Sequence, residues 1–155
     1  MPRRRPGALR ARTDQLPRLT RVPPPASIPG LSARTSLAIH RLERAIDPHT
    51  VGSTATALTS YRDFVTSGRG PLYPNFALFP CCPGCSQNDI RFVRDVLEEA
   101  IAALPLGPRG ELRRLVGALD RLYRERTLPD PLFPTGGPWA GLGWWHRRLD
   151  TGLQG

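Results

Sequence analysis

From Ser32 to Arg126 the apolar positions recur with a helical period rather than alternating, in four blocks. In the first, about 33–46, Ala38, Ile39, Leu42, Ala45 and Ile46 share a face, with Arg41, Glu43 and Arg44 off it and Ser32 as the capping residue. Asp47-Pro48-His49 reads as a turn. The second block, about 50–66, puts Val51, Ala55, Leu58, Tyr61, Phe64 and Val65 on one side and ends at Gly68.

The third and fourth blocks have the cleanest periodicity. Between about 87 and 104, Ile90, Val93, Val96, Leu97, Ala100, Ile101 and Leu104 form a broad apolar face. Ser86 is read as its cap, and Arg91–Asp95 and Arg94–Glu98 as i,i+4 pairs on the polar side. Pro105 ends the block, because proline lacks a donor and disfavours helix in the residue before it. In 109–126, opening with Pro108 in the first turn, Leu112, Leu115, Val116, Leu119, Leu122 and Tyr123 make a narrow stripe suited to one neighbouring helix. A short Gly-Pro link between two such blocks predicts an antiparallel αα-hairpin. The expected fold is therefore all-α, a small four-helix bundle-like domain around that hairpin.

The flanks read differently. Eighteen prolines and fifteen glycines are too many for a chain that is bundle throughout, and they gather before the first block, around 68–84 and after Leu128. Residues 1–30, arginine- and proline-rich, are expected to be a disordered tail, 31–128 the helical domain, and 129–155 an irregular segment packed on it. Residues 69–80 carry Leu72, Tyr73, Phe76, Leu78 and Phe79 between three prolines, which predicts an extended segment laid across the helices.

Charge changes this picture less than its total suggests. Of the net +9, the first thirty residues contribute +6, with seven arginines against Asp14 alone. Residues 31–155 are nearly balanced at +3. Every basic residue is arginine, so arginine serves as the default cation of this chain. A basic tail of this kind allows contact with nucleic acid, but it has no interleaved aromatics on which bases would stack. No apolar run approaches the ~20 residues needed to span a bilayer, and Arg3-Arg4-Arg5 is not followed by the apolar stretch of a secretory signal. The expectation is a soluble cytoplasmic protein without a membrane partner.

Candidate chemistry gathers at Cys81-Cys82-Pro83-Gly84-Cys85, just before the third block. One reading is a zinc site in which Cys82 and Cys85 are joined by Cys81 and by His49 or His146. A second is a redox dithiol: Cys82-Pro83-Gly84-Cys85 resembles the motif of thioredoxin-like and glutaredoxin-like proteins, although the resemblance covers four residues and the βαβ pattern of those folds is missing. The third is that the thiols simply pack as small apolar groups. Asp63, Asp95, Glu98, Glu99 and Asp120 read as solvated acids. Trp139, Trp144 and Trp145 either pack back on the bundle or anchor a partner. Phosphate-binding, zinc-protease and serine-hydrolase motifs are absent. The function expected is a non-enzymatic interaction or adaptor protein, with a structural zinc at the cysteines. Nucleic-acid binding through the basic tail and thiol–disulfide exchange are the alternatives.

Overall fold

The computed structural model describes residues 26–66, 89–134, 136–137 and 140–150. Four helices make up most of it: α1 (Ala33–Ile46), α2 (Ser53–Thr66), α3 (Ile90–Ala103) and α4 (Leu106–Glu125). The all-α expectation holds. The cysteines and the aromatic segment 69–80 lie outside the described residues, as does Ser86.

The core forms around α4, which packs on all three other helices, while α2 also lies along α3. Leu112, Val116, Leu119 and Tyr123, spaced four, three and four apart, turn one stripe of α4 inward. They meet Ile39 of α1, Leu58, Tyr61 and Val65 of α2, and Leu97, Ile101 and Leu104 at the end of α3. Burying each large side chain stabilises the fold by roughly 1.5–3 kcal/mol. The α3–α4 link is only Leu104-Pro105, tighter than the loop expected, and α4 begins at Leu106 rather than 109. Arg109 staples this corner by donating from Nε to the Leu104 carbonyl (2.8 Å) and from Nη2 to that of Ala102 (3.1 Å). A cation is thereby placed on the exposed carbonyls of the α3 C-terminus. From there α4 runs back along α3, far enough for Asp120 to meet Arg94.

Several boundaries differ from the sequence reading. The expected tail reaches residue 30, yet Ile28 is only 2 % exposed and Leu31 is also buried. Residues 26–31 form a strap held by Ile28 N–H on Ser36 Oγ (3.0 Å) and Arg62 Nη2 on the Pro29 carbonyl (3.1 Å). The inward face of α1 is Thr35, Ser36, Ile39 and Glu43, so Ala45 and Ile46, expected inside, are exposed. Val51 precedes α2 and is also exposed, and Leu122 sits at the edge of the α4 stripe. With Ser86 outside the described residues, Asp89 is the α3 cap, accepting from Arg91 N–H (2.9 Å).

The start of α2 is closed from another helix rather than by its own cap. Glu43 of α1 turns inward and accepts from Gly52 N–H (2.7 Å), Thr54 N–H (2.8 Å) and Ser53 Oγ (3.2 Å), closing the first turn of α2. Gly52 has φ +96°, a left-handed conformation natural to glycine, which aims its N–H at that carboxylate. Burial alone would raise the Glu43 pKa; the hydrogen bonds from Gly52, Thr54 and Ser53 outweigh it and hold the carboxyl below its ordinary 4.5. A depressed folded-state pKa stabilises above the ordinary value and is lost as pH falls through the folded one. Thermal unfolding should therefore lose stability below pH 4.5 more steeply in the wild type than in Glu43→Gln, which at neutral pH should already be weaker by about 1–2 kcal/mol. Parallel slopes for the two proteins would show that Glu43 does not carry this term.

The C-terminal segment is more ordered than the irregular run expected. Thr127–Pro129 (β1) pairs antiparallel with Arg148–Asp150 (β2), with Leu128 opposite Leu149. Arg148 ties the pair to the end of α4, donating from Nε to Thr127 Oγ1 (2.8 Å) and from Nη2 to the Arg124 carbonyl (2.9 Å). Between the strands, a 3₁₀ turn at Trp144–His146 carries Trp145 into the core. A Cβ on Gly143 would lie 2.3 Å from the Trp145 ring, so only glycine fits there without displacing the indole.

Candidate functional site

Ionisable side chains of α2, α3 and α4 form a chain of contacts inside the bundle. Tyr61 Oη donates to Asp120 Oδ1 at 2.7 Å, and Arg94 donates to both Asp120 oxygens, Nε at 3.0 Å and Nη2 at 3.1 Å. Its remaining arm reaches Glu98 at 2.9 Å, so the expected i,i+4 pair forms, but from a guanidinium buried in the core. Asp120, read from sequence as solvated, is likewise buried. Burial first, then the charge of Asp120, pushes the Tyr61 phenol far above its usual range. Burial works against the charged form of Arg94, yet Asp120 and Glu98 together raise its pKa.

The contacts continue outward. The Arg94 guanidinium lies 4.2 Å from the Trp145 ring centroid, a cation–π contact. Trp145 Nε1 donates to Asp95 Oδ1 at 2.7 Å, and His146 Nε2 is 2.9 Å from Asp95 Oδ2. Asp95, expected on a solvated face, thus fastens the C-terminal turn to α3. Trp144 is partly buried against Tyr123 with the Arg124 guanidinium over it at 3.8 Å, and Trp139 lies outside the described residues. Little of the Trp145 indole, at 8 % exposed, is left for a partner.

His146 and His49 do not share a setting. His49 is exposed in the 3₁₀ turn Pro48–Thr50, where its N–H is held by Asp47 Oδ1 (2.9 Å). His146 is buried with Nε2 taken by Asp95, so Nδ1 is the ring nitrogen not engaged by that carboxylate. Among the described residues no three His, Cys, Asp or Glu side chains gather in a metal-binding group.

The surface offers a different kind of site, where α1 crosses the α3–α4 corner. A groove of about 260 Å³ is walled by Arg34, Leu37, Ala38 and Arg41 from α1, with Pro105, Gly107 and Pro108 opposite. That is smaller than the ~300–1,000 Å³ of pockets that enclose a small-molecule ligand, and fits one or two side chains of a docking segment. Leu37 is 37 % exposed, and Leu106, beside the groove wall, is 83 % exposed. Among the described residues no acid lines the groove: Glu43, the single acidic residue of α1, is turned under the helix. The outer side of α1 accordingly displays Arg34, Arg41 and Arg44 without a counter-charge of its own. No side chain caps α4, whose first turn forms the opposite wall.

Sequence reasoning missed this groove because its second wall is the α3–α4 corner, whose approach to α1 no local pattern encodes. Leu37, off the apolar face with Arg34 at i−3 and Arg41 at i+4, was the one local hint of it. Comparison with protein-family models, curated proteins and solved structures gives no match. Among the described residues no helix is long and apolar enough to cross a membrane.

Proposed function

We propose that the chain is a non-enzymatic interaction protein of the cytoplasm, and that the groove between α1 and the α3–α4 corner is where it meets its partner. The observation that carries this is the combination at that groove of exposed apolar surface with unpaired-in-sequence arginines on a rigid helix face. A docking surface needs apolar contact area beside polar groups that fix orientation. The interior supports the same reading from the other side. Tyr61, Arg94 and Asp120 satisfy one another, Glu43 closes α2, and Asp95 holds Trp145 and His146. Side chains locked in this way serve architecture and are not free to meet a substrate.

Panning a displayed library of random peptides against the full chain tests the reading. Enriched peptides should compete with one another and lose binding to Leu37→Asp, an exposed change that leaves the helical circular dichroism intact. Enrichment of peptides indifferent to Leu37→Asp would move the partner surface elsewhere.

A structural zinc held by Cys81, Cys82 and Cys85 with His146 or His49 belongs to this proposal. Of the two histidines, His146 has the better support, because a carboxylate orienting one ring nitrogen is a common companion of metal ligation by the other. Elemental analysis of the untagged full chain, repeated with Cys82→Ser and Cys85→Ser, decides it.

A further inference from the structure

We propose that the groove receives an acidic amphipathic helix of another protein, with two carboxylates seven residues apart meeting Arg34 and Arg41 and large apolar side chains between them covering Leu37. The inference rests on the reading of this groove as the partner surface, and it names the partner's chemistry.

Charge argues first. Among the described residues both cations of the groove come from α1, no acid lines it, and the one acid of that helix is occupied at the start of α2. A second copy of this chain presenting the same face would set arginine against arginine. A partner bearing carboxylates gains hydrogen bonds to planar guanidinium groups that are already displayed in a row.

Spacing argues next. Arg34 and Arg41 are two helical turns apart, about 10.5 Å along the axis, with Leu37 and Ala38 on the turn between. A helix laid along α1 repeats the same spacing, so acids at i and i+7 with leucines at i+3 and i+4 match both the cations and the apolar floor. Pro105 and Pro108 bound the far side, and Leu106 extends the apolar surface beyond them. Nucleic acid fits less well: the floor between the two cations is aliphatic, and among the described residues no aromatic ring lines the groove on which a base would stack.

The experiment uses the full chain and a fluorescein-labelled helical peptide of about fifteen residues with that Glu/Leu pattern, read by fluorescence anisotropy. Companion peptides replace both glutamates by glutamine or by lysine. Binding of the Glu peptide with a Kd of about 10–100 µM, the range of a small transient interface, is expected. Arg34→Glu/Arg41→Glu, both exposed positions, should weaken it at least about tenfold, the equivalent of about 1.4 kcal/mol, with unchanged circular dichroism. The lysine peptide should bind this doubly reversed protein and not the wild type. A glutamine peptide that binds as tightly as the glutamate one, and is released by Leu37→Asp, would overturn the acidic partner while leaving the groove as a docking surface. Peptide binding that ignores Leu37→Asp would overturn both. A single-stranded oligonucleotide that displaces the Glu peptide at lower concentration would overturn the inference in favour of nucleic acid.

Discussion

Asp120→Ala is expected to destabilise the fold by about 3–5 kcal/mol, enough to leave much of a small domain unfolded near physiological temperature. The substitution removes little volume, so the loss does not come from a cavity. It comes from the two groups left behind: the buried Arg94 guanidinium keeps only Glu98, and the buried Tyr61 hydroxyl loses its acceptor at 2.7 Å. An uncompensated buried cation and an unsatisfied phenol are among the most costly defects a core can hold. Chemical denaturation followed by circular dichroism measures the loss.

Removing both charged partners should be far milder. Taking two ions out of water costs energy that their attraction only partly returns, so Arg94→Met/Asp120→Leu should recover most of what Asp120→Ala loses. Double substitution as damaging as the single one would mean that the pair fixes the geometry of α3 on α4 in a way that apolar contact cannot replace.

Leu112→Ala is expected to cost about 2–5 kcal/mol, a fall in Tm of roughly 10–20 °C. Leu112 is fully buried in the α4 stripe, within the core cluster shared by all four helices. Leu122→Ala should cost less than about 1 kcal/mol, since that leucine is 39 % exposed at the edge of the same helix. The sequence pattern ranks the two alike, so the difference in Tm measures the rotation of α4 directly. Equal losses would require the stripe to be turned toward Leu122.

The elements were legible where their signals are local. Ser32 and the Asp47-Pro48 turn bracket α1 at its observed limits, and Pro105 separates α3 from α4. What the sequence concealed was the destination of the polar side chains. Glu43, Arg94 and Asp120 look solvated because periodicity assigns every charge to the outer face. Each is inside because its partner arrives from another element: Tyr61 meets Asp120 across 59 positions of chain. No local spacing rule reaches that far. Ile28 was hidden differently, between Pro23-Pro24-Pro25 and Pro29-Gly30, in a stretch too short and irregular to form a pattern. The groove followed the same logic, since its two walls come from α1 and from the α3–α4 corner, far apart in the chain.

The clamp at the start of α1 bears on how the protein is made. Ser32 caps its own helix through Thr35 N–H, but Ser32 N–H and Oγ are themselves held by Glu111, at 2.6 and 2.8 Å, 79 residues further along. Thr35 Oγ1 is bound to the same carboxylate. During synthesis α1 and the strap before it leave the ribosome long before Glu111 has been translated. At ≈ 5–20 residues per second, that wait is on the order of 4–16 s. Throughout it, Ile28, Leu31 and Ile39 have no α4 to cover them, so the newborn chain displays apolar surface that the finished fold buries. Folding of the first helix is completed by the last.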